Sequence, residues 1–449
     1  MEIRSQTIWF EQALLPNGWA VAVRVGIVGG RIATIERNVA PQGHDARFVT
    51  ALPGLVNVHS HAFQRSIRGM AEVRGASDND DFWGWRDVMY RLVGALTPDD
   101  VAVITAMAFV EMLEAGFTRV AEFHYLHHQP SGEPYDDPAA MAVAVASAAE
   151  ETGIALTLLP VFYAHAGFGG KAPEAGQRRF VNNMDGFANL LEASRHAVGG
   201  LPDGTVGVAP HSLRAVMPEQ LAALAAMAPD APIHIHIAEQ QKEVADCVEW
   251  SGQRPVAWLM DHAAVDARWC LVHATHIDPE ELTAIAARGA VVGLCPITEA
   301  NLGDGIFPAK AFLAAGGVFG IGSDSNIRID AGQELQLLEY GQRLSLLRRN
   351  VLTTTGASTG RTLFDGATAG GGRAVGHPAG IALGHAADLV ALSGCACGDR
   401  TLDHWIFAGG GPVIDAVWRR GVQVVTNGRH RGRDEIASRF TKVAARLLQ

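Results

Sequence analysis

Pro53-Gly54-Leu55-Val56-Asn57-Val58-His59-Ser60-His61 is the stretch on which the reading of the fold turns. A short apolar run closes on two histidines spaced i, i+2, and in a strand such a pair projects from one face. At the carboxyl end of a strand, the two imidazoles offer two nitrogen ligands to one metal ion. By itself the pair decides little, because neighbouring histidines also serve as surface or packing residues. What matters is whether further ligands follow at the ends of other strands.

Working outward, residues 52 to 376 alternate apolar strand-like runs with helical patterns, the signature of βα units. Eight candidate strands lie at 54–59, 118–123, 155–161, 206–209, 232–237, 268–273, 290–294 and 318–322. Helical stretches at 99–115, 138–152, 218–228, 279–288 and 333–349 fall between or after them. The pattern predicts an α/β chain with a (β/α)8 TIM-type barrel over 53–376, its chemistry at the carboxyl ends of the strands. The segment after His61, with Trp83, Trp85 and Arg86, is about 35 residues, too long for a minimal βα loop, and could cover the barrel mouth. The flanks are β-rich at 20–28, 31–35, 387–392 and 416–425, with Gly29-Gly30 as a turn. Residues 1–52 and 377–449 are expected to form one small β-sandwich-like domain with a closing helix at 434–448.

The 449 residues are 48% hydrophobic and 18% charged, a balance that supports a sizeable globular core. A net charge of −11 without any basic run argues against nucleic acid or an anionic membrane surface as partner. No signal peptide is read at Met1-Glu2-Ile3-Arg4-Ser5, and no run reaches about 18 apolar residues. Five scattered cysteines, Cys247, Cys270, Cys295, Cys395 and Cys397, make no disulfide framework and fit a cytoplasmic location. Cys395-x-Cys397 has no second pair to complete a metal site.

Further ligands do follow. In Ile233-His234-Ile235-His236-Ile237-Ala238-Glu239, His236 lies nearer the strand end and is the better ligand, with His234 one layer deeper. Glu239 falls just past the strand, where it can handle protons. Strand six ends at His273, and strand eight runs into Ser323-Asp324-Ser325. His59, His61, His236 and Asp324 compose an N3O set with an open position, typical of catalytic zinc and also compatible with iron or manganese. Each residue has a plainer alternative: His273 as a core histidine, Glu239 as a solvated charge, Asp324 as a helix cap. Six polar groups at the ends of four strands of one barrel are hard to assign to packing.

The pattern resembles the amidohydrolase superfamily in its mononuclear deaminase branch. Binuclear members bridge two metals with a carboxylated lysine on strand four, and none of Lys171, Lys242, Lys310 or Lys442 lies there. Longer stretches are similar to the formimidoylglutamate deiminases of histidine degradation. They include 59–65, 82–86, 122–128, Pro210-His211-Ser212-Leu213-Arg214, 234–240 and 296–304.

The resemblance implies hydrolysis of N-formimino-L-glutamate to N-formyl-L-glutamate and ammonia, with one divalent metal per subunit, zinc first, in a cytoplasmic homodimer. Two carboxylates on the substrate call for arginines and neutral donors. Gln64, Arg86, Tyr125, His211 and Arg214 are the expected contacts. Asp324 and His273 would handle the proton of the attacking water, and Glu239 would protonate the leaving nitrogen. The rivals are a ring deaminase or chlorohydrolase, a ring-opening imidazolonepropionase, and a metal-stabilised scaffold without turnover.

Overall fold

The computed structural model describes residues 5–70, 72, 89–90, 92–394 and 396–447. Arg86, Trp83, Trp85 and Cys395 lie outside the described residues, so the expectations placed on them are not addressed by it.

Two sheets meet at Gly54. The first is formed by the chain ends: β1 (Ser5–Leu15), β2 (Gly18–Val28), β3 (Arg31–Glu36) and β4 (Ala46–Pro53) precede the second sheet. The barrel strands follow: β5 (Leu55–Ser60), β6 (Phe117–His124), β7 (Ala155–Phe162), β8 (Thr205–Val206), β9 (Ala209–Pro210), β10 (Ile233–Ile237), β11 (Trp269–His273), β12 (Val291–Leu294) and β13 (Val318–Ile321). The terminal sheet is completed by β14 (Leu389–Leu392), β15 (Ile414–Arg419), β16 (Val422–Thr426) and β17 (Arg429–His430).

The terminal strands form one eight-stranded sheet in the order β17-β16-β15-β14-β4-β1-β2-β3, so β14 joins the two chain ends across β4. Gly29 and Gly30, at φ 61° and 80°, make the tight turn between β2 and β3. β1 and β2 are longer than the short strands expected there, at 11 residues each. The closing helix, Arg433–Leu447, packs along the barrel's helix Pro98–Glu114.

The second sheet is parallel and runs β10-β11-β12-β13-β5-β6-β7-β8, with β9 also on β7. It closes through bridges Val208–Ile233 and Ser212–His236. Strand four is therefore interrupted, where one run at 206–209 was expected. The Gly207 N–H donates to Leu158 O on β7, and the Val208 N–H turns to Pro232 O on the other side. That handover closes the barrel and breaks the strand. β5, β6, β7, β10, β11 and β12 are buried along their whole length, as parallel strands covered on both faces must be.

The helix expected at 333–349 runs Ala331–Leu346 and ends at Leu347 in left-handed backbone, φ 53°. The helix Thr359–Ala374 carries five glycines, a composition that conceals it from propensity. The glycines allow close approach to β13: a Cβ on Gly370 would sit 1.8 Å from Phe319 O. Gly370→Ala should lower unfolding stability by about 1–3 kcal/mol or more. Gly43→Ala, exposed and with open space around it, should stay within about 0.5 kcal/mol of the parent in the same urea titration.

Candidate active site

The carboxyl ends of β5, β10, β11 and β13 converge. β5 and β13 are locked together by a buried amide–hydroxyl network beneath the site. Asn57 Nδ2 donates to Ser323 Oγ (2.6 Å), Ser323 Oγ to Asn326 Oδ1 (2.6 Å), and Asn326 Nδ2 to Ser60 Oγ (3.2 Å). Backbone bonds from Asp324 N to His59 O (3.0 Å) and His61 N to Asp324 O (2.9 Å) set the register.

That register brings His59, His61, His236 and Asp324 together, with ligand atoms all within 4.8 Å of one another. His59 Nε2 lies 3.1 Å from His61 Nε2 and 3.0 Å from His236 Nε2. Asp324 Oδ1 is 3.3 Å from the Nε2 atoms of both His59 and His61. A carbonyl can only accept, so His61 Nδ1 donates to Phe123 O (2.8 Å) and His236 Nδ1 to His211 O (3.1 Å). Both rings therefore keep Nε2 free for a ligand bond when neutral. Burial holds the imidazoles neutral, that of His59 down to about 3. Burial opposes ionisation of Asp324, yet the surrounding imidazoles hold it well below the usual carboxylate range. Three neutral nitrogens and one carboxylate fit a divalent, borderline metal. All four lysines are exposed, so none enters the barrel as a metal bridge.

His234 is directed elsewhere: its Nε2 donates to Ala374 O (2.8 Å) beneath the site. No helix begins at Asp324 either; the next is capped by Asp330.

Beside the cluster stand His273 and Glu239. His273 Nε2 lies 3.8 Å from Asp324 Oδ2 and 3.9 Å from Glu239 Oε1, and its Nδ1 is 3.2 Å from Glu299 Oε1. Burial opposes charge on His273, but Glu239, Glu299 and Asp324 raise it to about 10. Burial, with Asp324 adding to it, raises Glu239 to about 7, the range of a group that both takes and gives protons. Ala238, His273 and Asp324 all have left-handed backbone, φ 51°, 68° and 44°. Such conformations are unfavourable for residues with a Cβ and concentrate at functional turns.

A pocket opens over this centre, lined by Gln64, Tyr125, His211 and Arg214 among the expected contacts. Gln64 Nε2 donates to Tyr125 Oη (2.7 Å). His211 packs edge-on to Tyr163 at 4.7 Å and its carbonyl orients His236. Arg214 is half-buried in the pocket wall; burial opposes its charge, yet Glu243 and Glu239 keep the guanidinium firmly protonated. His127 and His128 bond to Val161 O and Val181 O, a structural role as pocket wall.

Several wall residues were not singled out by the sequence. Tyr163 and Phe180 come from the loop after β7, and Tyr90 from the segment before the first barrel helix. Glu299, on the helix Pro296–Leu302, stands within an anticipated stretch, but only folding places its carboxylate on His273.

Residues 50–424 match the model of the amidohydrolase family, and residues 5–48 that of the formimidoylglutamate deiminase HutF N-terminal domain. A formimidoylglutamate deiminase of Pseudomonas aeruginosa is 50% identical, covering 98% of this chain and 99% of that protein. A 5-methylthioadenosine/S-adenosylhomocysteine deaminase of Natronomonas pharaonis is 30% identical, over 77% of this chain and 73% of its own. The crystal structure of an amidohydrolase from Brucella melitensis superposes with a TM-score of 0.97 at 52% identity, covering 99% of this chain and all of its own. An adenosine deaminase from Xanthomonas campestris shares the fold, with a TM-score of 0.80 at 22% identity over 98% of both chains. With that site at the strand ends of its barrel, the chain belongs to the amidohydrolase family and, within it, to the formimidoylglutamate deiminases.

Proposed function

We propose that this protein hydrolyses N-formimino-L-glutamate to N-formyl-L-glutamate and ammonia, a step of histidine degradation. The observation that carries this is one pocket holding both a hydrolytic His/Asp/Glu centre and donors for carboxylates, Arg214 foremost. An adenine- or guanine-type substrate has no use for a guanidinium placed in the pocket wall in that way.

His59, His61, His236 and Asp324 would hold one divalent ion, zinc in our reading, which when bound acts as a Lewis acid and makes water reactive near neutral pH. The other steps fall to side chains. Asp324 takes up the water proton, and His273, kept protonated by Glu239, Glu299 and Asp324, stabilises charge as oxygen bonds to the formimino carbon. Glu239 delivers a proton to the terminal nitrogen, the carbon–nitrogen bond breaks, and ammonia leaves. Arg214, Tyr125 with Gln64, His211 and, outside the described residues, Arg86 bind the two carboxylates. We take the active form to be a homodimer.

Zinc-loaded protein should release ammonia and formylglutamate from N-formimino-L-glutamate, and chelation should abolish this until zinc is restored. Ammonia from adenosine or guanine but none from the formimino substrate would overturn the assignment. Glu239→Gln should lower kcat by about 10²–10⁴-fold while metal content, measured by atomic emission, stays at the parent value. His236→Ala should lose the metal. His234→Ala should keep it and lose only stability, by about 1–3 kcal/mol, since Ala374 O loses its donor.

A further inference from the structure

Glu243 lies in the first turn of the helix Gln241–Ser251 and is two per cent exposed. Its Oε2 accepts the backbone N–H of Glu239 at 3.2 Å. That N–H follows Ala238, whose φ of 51° swings the chain off the β10 direction and carries Glu239 over the metal-ligand cluster. His276 N, donating to Ala238 O at 3.0 Å, holds the other side of the same turn. An unfavourable backbone conformation persists only where its surroundings fix it, and here two hydrogen bonds do so.

The second oxygen of Glu243, Oε1, is buried with no hydrogen-bond partner among the described residues, and so is Nε of Arg214. An unpaired buried carboxylate oxygen is unfavourable unless a cation lies close by. Arg214 is the cation on which the Glu243 charge acts more strongly than that of any other carboxylate, through space and without a hydrogen bond between them. One side chain is thus linked to two groups with different tasks: Glu239 at the reacting nitrogen, and Arg214 on the pocket wall facing a substrate carboxylate.

Building on the function proposed above, we infer that Glu243 is a positioning residue, fixing the Glu239 turn through one oxygen and, by its charge, steadying the Arg214 guanidinium for a substrate carboxylate. The two halves separate by chemistry. A glutamine in its place still accepts from the Glu239 N–H but no longer offers a charge to Arg214.

Glu243→Gln and Glu243→Ala are compared as zinc-loaded holoenzymes. Substrates are N-formimino-L-glutamate and two analogues that lack either the α- or the γ-carboxylate. Glu243→Gln should keep kcat within about threefold of the parent while KM rises about tenfold, and that rise should vanish with one of the two analogues. Glu243→Ala should raise KM similarly and also lower kcat by at least about tenfold. Amide hydrogen exchange at Glu239, read without turnover, should be faster in Glu243→Ala than in the parent and in Glu243→Gln.

Variants that retain parental kcat, KM and exchange would overturn the inference. So would equal losses in both variants that follow melting temperature, as a merely structural carboxylate predicts. If the parent were inert toward the formimino substrate, the function would fall, while exchange at Glu239 would still decide the backbone half. Binding of N-formyl-L-glutamate by calorimetry, weaker in both variants than in the parent, would decide the Arg214 half; equal affinities would refute it.

Discussion

Most of this structure answers to one electrostatic constraint: four electron-pair donors from three strands crowd within 4.8 Å of one another. Neutral imidazole nitrogens at 3.0–3.1 Å with a carboxylate beside them repel unless a proton or a cation lies between. The fold leaves little room for the proton. Carbonyls of Phe123 and His211 occupy the Nδ1 positions of two rings, and burial opposes a second proton on any of them. The arrangement is therefore tuned for a cation by groups that never touch it.

Holding that arrangement is the work of the strand ends. The Asn57–Ser323–Asn326 network ties β5 to β13, so His59 and Asp324 cannot drift apart without breaking buried hydrogen bonds. Left-handed turns at Ala238, His273 and Asp324 bend three chains away from the strand direction just where side chains must point over the centre. Loops could supply the same residue types, but a barrel rim supplies them at fixed separations. Proton handling then follows from environment. One enclosed region pushes Glu239 up and holds Asp324 down, so two carboxylates of similar intrinsic acidity take different roles.

Much was legible in the sequence because the signals are local. The i, i+2 histidines, the eight apolar runs and the turn glycines at 29 and 30 need only chain periodicity to be read. The choice of His236 over His234 is likewise a matter of strand position, and Ala374 O shows where the deeper ring goes. The interruption of strand four escaped, because it depends on which neighbouring strand each N–H finds. The helix Thr359–Ala374 escaped for a related reason: its glycines oppose helix formation locally and are required by contact with Phe319 and Val56.

The sequence by itself determined the barrel, the gathering of the chain ends into one small β-domain, and the residue types that can bind a metal and move protons. These follow from period and spacing along one chain. Only the tertiary structure decided which groups act on which: Glu299 on His273, the Glu243 carboxylate on the Glu239 N–H and its charge on Arg214, and the Tyr163 ring against His211. The physical reason is that proton affinity and charge alignment depend on through-space distance and burial. Neither is encoded in the order of residues until the strands close into a ring.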